Sequence, residues 1–76
     1  MHDEVIKAIK KYFEDEIKEA IALKEYCARF NEDFHIQKRT VIQRGLGAAF
    51  FAQKLGIKYE EIDKLYMDFK EKVDKV

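Results

Sequence analysis

The sequence predicts an all-α fold, a single three-helix unit with a long first helix. Apolar residues recur every three or four positions along almost the whole chain, which is the spacing of amphipathic helices. Proline is absent, and glycine occurs only at positions 45, 47 and 56. At 76 residues the chain has room for one hydrophobic core, so we expect residues 1–76 to form a single helical domain.

The first helix is predicted from about Asp3 to Phe30. Its apolar stripe is spaced by three or four residues throughout and consists of Ile6, Ile9, Phe13, Ile17, Ala20, Leu23, Cys27 and Phe30. Asp3 and Glu4 suit the positive end of the helix dipole. Asn31 tolerates a left-handed backbone and is therefore the predicted stop.

A second helix is predicted from about Phe34 to Leu55, with Asp33 as its N-cap and Gly56 at its end. Its apolar positions include Phe34, Val41, Ile42, Leu46, Ala49, Phe50 and Ala52. A third helix follows Lys58, with an apolar stripe formed by Ile62, Leu65, Tyr66, Phe69 and Val73. Because the connections are short, the three helices are expected to pack on one another.

Gly45 and Gly47 leave the course of the second helix open. Each glycine costs about 1 kcal/mol relative to alanine in a helix interior, so some feature of the structure must offset it. Either the helix breaks there or another backbone comes close. Ala49 follows Gly45 by one turn, and this spacing of small residues favours a close helix contact.

The length of the first helix predicts self-association. About 28 residues at 1.5 Å each extend roughly 42 Å. A compact globule of this chain length is only about 30 Å across, so the helix should overhang its own bundle. A single cysteine rules out an intramolecular disulfide as an alternative source of stability. A second copy covering the overhang would make a helical homodimer.

Composition narrows the class of protein. The chain is 47% hydrophobic and 39% charged, which is too apolar for a disordered segment. No apolar run approaches the roughly 20 residues that span a bilayer, so we expect no membrane partner. Fifteen basic residues balance fifteen acidic ones, so the chain has no net positive charge that would attract nucleic acid. The acidic start His2-Asp3-Glu4 is unlike a secretory signal, and we expect a cytoplasmic protein.

Neither a catalytic, a cofactor-binding nor a metal site is predicted, so we expect no enzyme activity and no cofactor. Cys27 and His35 are the nucleophile and base nearest in sequence, but Cys27 falls on an apolar stripe, where cysteine usually serves packing. One cysteine and two histidines are too few for a structural zinc site. Gly45 and Gly47 lack the preceding strand of a phosphate-binding loop.

The favoured function is a small helical protein-interaction module that forms a homodimer and binds another protein or itself. Six phenylalanines and four tyrosines supply aromatic surface beyond the core. The candidate interaction residues are Phe50, Phe51, Tyr59 and Tyr66. Burial of these same aromatics in the core is the competing interpretation.

The alternative function is a helix-turn-helix DNA-binding protein, with the motif from Ala48 to Met67. Its expected skeleton is Phe51, Ala52, Leu55, Gly56, Ile57, Ile62 and Leu65, with the apolar members in a small shared core. The candidate nucleic-acid contacts are Lys38, Arg39, Arg44, Lys54, Lys58 and Lys64. The recognition helix would open with Glu60, Glu61 and Asp63, which repel phosphates, so DNA is the less favoured partner. The basic residues also have a second interpretation, which is pairing with the acidic first helix.

Overall fold

The computed structural model describes residues 2–76 as three α-helices. These are α1 (His2–Phe30), α2 (Phe34–Lys54) and α3 (Tyr59–Asp74). The predicted three-helix unit with the longest helix first is confirmed, with bounds that differ from the expected ones by a residue or so. Each helix packs against both of the others.

The ends of the helices follow from local chemistry. The Asp33 carboxylate accepts a hydrogen bond from the backbone N–H of His35 at 2.9 Å, which satisfies one of the free donors at the start of α2. Asn31, with φ of 56°, turns the chain after α1, and Gly56, with φ of 98°, turns it after α2. Lys58 makes no side-chain cap for α3, as expected for a lysine.

Contacts at the two ends of the bundle define its topology. His2 Nε2 lies 3.2 Å from Glu61 Oε2, which places the starts of α1 and α3 together. Farther along α1, Lys24 Nζ donates to the Val76 carbonyl, and Lys38 Nζ on α2 donates to the Asp74 carbonyl at 2.8 Å. α1 and α3 therefore run parallel and α2 runs antiparallel to both. α3 ends beside Lys24, so the last turns of α1 and the first turn of α2 extend beyond it.

The described chain is elongated, with principal extents of 43 × 17 × 16 Å and a radius of gyration of 13.3 Å. The expectation of a globule about 30 Å across was therefore wrong. It assumed a compact shape, whereas α2 and α3 lie alongside the unbroken α1. The overhang is limited to the end where α1 and α2 form a helical hairpin. The length of α1 alone therefore gives no reason for a dimer.

The core is centred on two stacked rings. Phe13 of α1 and Phe69 of α3 stack with their ring centroids 4.6 Å apart and their planes 18° from parallel. Buried apolar residues from all three helices and from the second connection surround this pair: Ile9, Ala20, Val41, Ala49, Ala52, Ile57, Ile62 and Val73. Ile57 and Ile62 thus belong to the core on either side of the start of α3.

The Phe69 ring explains Gly45. A Cβ atom built on Gly45 would lie 2.8 Å from Cζ of Phe69 and closer still to Cε2, which is nearer than non-bonded atoms approach. α2 continues unbroken through Gly45 and Gly47, so the expected alternative of a helix break is wrong, and the atoms nearest Gly45 belong to a side chain where another backbone was expected. The group that approaches is an aromatic ring. A Cβ on Gly47 would meet no atom within 4 Å, so nothing in the described chain requires glycine there.

An ion-pair cluster joins α1 to α2. Arg44 Nη2 donates to Glu16 Oε2 at 2.6 Å and to Glu19 Oε2 at 2.8 Å, while Arg44 Nε donates to the same Glu16 oxygen at 3.2 Å. Glu16 is buried, so its charge needs this partner. The hydrogen bond to Glu16 raises the pKa of Arg44, and burial together with Glu16 raises the pKa of the Tyr12 phenol. The second interpretation of the basic residues, pairing with α1, is confirmed for Arg44.

Substitution of Gly45 by alanine should destabilise the fold. The added methyl group would force the Phe69 ring away from α2 and from Phe13, and overpacking of this kind costs about 1 to 3 kcal/mol. Gly47→Ala is the matched control, because its methyl group enters open space and improves helix propensity. Chemical denaturation followed by circular dichroism measures both. A Gly45→Ala variant as stable as its control would show that the Phe69 contact does not constrain α2.

Candidate interaction surface

α2 carries large apolar residues on the side that faces away from the core. From Gly45 onward its core-facing positions hold small side chains, since the buried residues of the helix are Val41, Gly45, Ala49 and Ala52. The opposite side, called here the α2 outer face, is exposed along its whole length. It consists of Ile36, Arg39, Thr40, Gln43, Leu46, Gly47, Phe50, Phe51 and Lys54. Small residues lie inside and large ones outside, the reverse of an ordinary surface helix.

The exposure of this face is substantial. Ile36 is 61%, Phe50 54% and Phe51 60% exposed, and Tyr59 at the adjoining start of α3 is 62% exposed. Single apolar residues on a surface are ordinary, but several on one helix face form a patch, and such patches mark interaction sites. Arg39 and Lys54 are charged residues of the α2 outer face, and Arg44, which is also exposed, lies at its α1 edge. The exposed apolar residues therefore point to an interface.

A shallow groove of about 190 Å³ separates α2 from α3 beside this face. Its walls are formed by Leu46, Ala49, Phe50, Gln53, Tyr59, Ile62, Asp63 and Tyr66. The groove brings together three of the four aromatics named from the sequence. Phe51, about 100° farther round the helix than Phe50, lies outside it. Tyr66 is partly buried against the core, and this burial raises the pKa of its phenol.

Sequence reasoning missed Ile36, Leu46 and Gly47 as surface residues. Leu46 and Phe50 were counted with Val41 among the apolar positions of a single helix. On a helical projection they lie far from Val41, a signal in the sequence that α2 has two apolar sides. Gly47 was treated together with Gly45, and only the position of Phe69 separates the two glycines.

A second exposed aromatic pair lies at the hairpin end of the bundle. Tyr26 and Phe30, near the end of α1, have ring centroids 4.7 Å apart and are both about half exposed. The two rings cover part of each other's surface. With two exposed residues, this pair is a smaller apolar area than the α2 outer face, which exposes Ile36, Leu46, Phe50 and Phe51.

The basic residues named for nucleic-acid binding are dispersed. Arg44 is bound by Glu16 and Glu19, and Lys38 donates to the Asp74 carbonyl. Lys58 and Lys64 line an open groove of about 440 Å³ between α1 and α3, together with Ile6, Lys10, Glu60, Glu61 and Leu65. Arg39 and Lys54 lie on the α2 outer face. The six basic residues therefore lie in different parts of the surface and form no continuous patch. Two of them, Arg44 and Lys38, bind acceptors within the chain.

The helix-turn-helix skeleton is present only in part. Ala52, Ile57 and Ile62 are buried as expected, and Gly56 forms the turn with a positive φ. Phe51 and Leu55, which were expected in the shared core of the motif, are each more than half exposed. The expectation was wrong for these two because α2 contacts its neighbours through Gly45, Ala49 and Ala52.

Cys27 is buried, as the sequence suggested. Burial raises the pKa of its thiol, with Glu32 and Asp33 adding to the effect, so the group is an uncharged packing residue near neutral pH. Among residues 2–76, no three His, Cys, Asp or Glu side chains lie close enough together to hold a metal ion. In the same range, no helix combines the length and apolarity needed to cross a bilayer.

Comparisons of this chain with protein-family models, with curated proteins and with solved structures found no match. The α2 outer face and the adjoining α2–α3 groove hold the largest group of exposed aromatic residues on the described chain.

Proposed function

We propose that this protein is a small helical interaction module that uses the α2 outer face and Tyr59 to bind another protein surface, in the form of a homodimer. The observation that carries the proposal is the reversed pattern of α2, with Gly45, Ala49 and Ala52 inside and Phe50 and Phe51 outside. Several large apolar residues on one exposed helix face form a patch of the kind that marks an interaction site. One side of α2 packs against its own chain, and we propose that the other side packs against a partner.

The size of the exposed apolar area sets the expected strength of binding. An aromatic side chain carries roughly 150 to 250 Å² of surface, so the exposed halves of Phe50, Phe51 and Tyr59 amount to about 100 Å² each. With Ile36 and Leu46, each copy offers roughly 400 Å² of apolar surface, in the range of functional patches. Standard interfaces bury about 800 Å² per partner. We therefore expect a dissociation constant in the micromolar range.

A second copy suits this face because of its shape. α2 is 21 residues long, which corresponds to about 31 Å, and its outer face is exposed from Ile36 to Lys54. A strip of this shape is covered best by another straight helix. A second copy supplies an identical helix, and two identical strips form a closed, two-fold symmetric contact.

No catalytic role forms part of the proposal. The only cysteine is buried with a raised pKa, which leaves it without the thiolate that nucleophilic chemistry requires. The open groove beside Lys58 and Lys64 contains both cations and carboxylates together with Ile6 and Leu65.

The protein should be dimeric at micromolar concentration, and replacement of Phe50 and Phe51 by serine should make it monomeric. Loss of two large apolar contacts from each copy removes the centre of the interface. Light scattering coupled to size exclusion, over a dilution series, measures the mass. The control is Ile21→Ser on α1, which removes an exposed apolar residue outside the α2 outer face and should leave the dimer intact. A wild-type protein that stays monomeric up to hundreds of micromolar would refute the homodimer.

The alternative, a helix-turn-helix DNA-binding function, is supported by the turn at Gly56 and by the buried Ile57 and Ile62. Glu60 and Glu61, exposed in the first turn of α3, oppose it because they would face phosphates. We expect no sequence motif to be enriched when the protein is titrated against a random-sequence duplex pool at physiological salt.

One outcome of the DNA titration would contradict the expectation that no motif is enriched. Enrichment of one motif that is abolished by Lys58→Glu or Lys64→Glu, and retained in the α1 variant Lys7→Glu, would favour the DNA-binding function over the interaction module. Weak binding without a motif that fades as salt rises would reflect the scattered cations alone.

A further inference from the structure

We propose that the last turn of α3 is a latch closed by two lysine ammonium groups, one from α1 and one from α2, and that loss of these positive charges opens it. This turn, residues 73–76, is called here the α3 end. Three observations carry the inference: hydrogen bonds that reach the α3 end from two other helices, the engagement of the lysines of α3 elsewhere, and the packing of the α3 end on the core. The inference does not depend on the proposed function.

Two lysines from different helices meet at the α3 end. Lys24 Nζ on α1 donates to the Val76 carbonyl, and Lys38 Nζ on α2 donates to the Asp74 carbonyl at 2.8 Å. The donors lie 52 and 36 positions before their acceptors in the sequence. The α3 end is therefore bonded to both of the other helices through side chains that carry a charge.

The chemistry of a helix C-terminus explains why charge matters at this place. The last carbonyl groups of a helix have no N–H partner within the helix, and the aligned peptide dipoles give this end a partial negative charge. An ammonium group there satisfies a carbonyl oxygen and also offsets the negative charge. Hydrogen bonds from a charged donor are roughly twice as strong as those from a neutral one, so a neutral side chain cannot replace the lysine fully.

The lysines of α3 are engaged elsewhere. Lys72 Nζ lies 3.0 Å from an Asp68 carboxylate oxygen, and Lys75 Nζ donates to Glu71 at 3.0 Å, in both pairs one turn back along the helix. The positive charge at the carbonyls of the α3 end thus comes from α1 and α2. Removal of that charge weakens the helix end and its attachment to the other helices together.

Lys38 is held in place on α2 as well. Its side chain is half-buried, and its ammonium group lies 5.9 Å from the centroid of the Phe34 ring, within the range of a cation–π contact. Phe34 is the first residue of α2. Lys38 therefore links the first turn of α2 to the α3 end, and it is the more fixed of the two lysines, since Lys24 is exposed.

Opening of the latch would change the surface of the core. Val73 is fully buried, and the Val76 side chain packs against the buried core cluster. When the α3 end unwinds, Val76 loses this contact and the core is uncovered beside the helical hairpin. Acylation of a lysine amine removes its positive charge. Lys24 and Lys38 are thus the positions at which such a modification would be converted into a change of conformation.

The test compares glutamine with arginine at the two positions. Lys24→Gln combined with Lys38→Gln removes both charges, and the ratio of helical to unwound α3 end should fall about threefold to thirtyfold. Lys24→Arg combined with Lys38→Arg keeps both charges and should stay near the wild-type ratio. Backbone ¹³C chemical shifts of Asp74 and Lys75 in NMR spectra measure this ratio, and circular dichroism verifies that each variant is folded.

The matched control is Lys7→Gln combined with Lys18→Gln, which removes the same charge from exposed positions of α1 and should leave these shifts unchanged. Added salt should unwind the α3 end of the wild type and have little effect on the glutamine pair, because salt screens the charges. Wild-type shifts in the glutamine pair would overturn the latch. The same conclusion follows if the arginine pair or the control pair unwinds as far as the glutamine pair.

Discussion

The contact between the Phe69 ring and Gly45 is the constraint on which the rest of the structure depends. Phe69 stacks on Phe13 of α1 and occupies the space that a side chain at position 45 of α2 would need. One ring therefore joins all three helices. The next buried positions of α2 after Gly45, Ala49 and Ala52, are small as well.

The same constraint shapes the surface. Where the Phe69 ring occupies the inner side of α2 at Gly45, the large apolar residues of that stretch, Leu46, Phe50 and Phe51, lie on its outer side. A core this small buries limited apolar area, and burial of further surface between two copies would add to stability as well as create a binding face. The Arg44 cluster with Glu16 and Glu19 fixes α2 against α1 and so keeps that face turned outward.

The helices could be predicted from the sequence because the information is local. Apolar spacing, Asp33 as a cap, and Asn31 and Gly56 as turn residues each act within a few positions. The surface was less predictable, since periodicity shows which positions are apolar but not which side of an apolar helix meets the core. Phe50, Phe51 and Tyr59 were identified from the sequence and are exposed, whereas Tyr66 belongs partly to the core.

Two features required the three-dimensional arrangement. The different roles of Gly45 and Gly47 depend on where Phe69 lies, some 24 positions later in the chain. The elongated shape depends on α3 packing alongside α1, which the compact-globule scaling used with the sequence does not describe. The scaling predicted an overhang of the first helix; the structure limits the overhang to the hairpin end and exposes large apolar residues on one side of α2.

The most direct test of the central claim is a measurement of contacts between copies at the α2 outer face. In an isotope-filtered NMR experiment, labelled and unlabelled protein are mixed, and only contacts across the dimer give cross-peaks. The account predicts cross-peaks between copies that involve the rings of Phe50 and Phe51 and the side chain of Ile36, which are exposed in one copy. Cross-peaks confined to Tyr26 and Phe30 at the hairpin end, or none at concentrations well above micromolar, would contradict it.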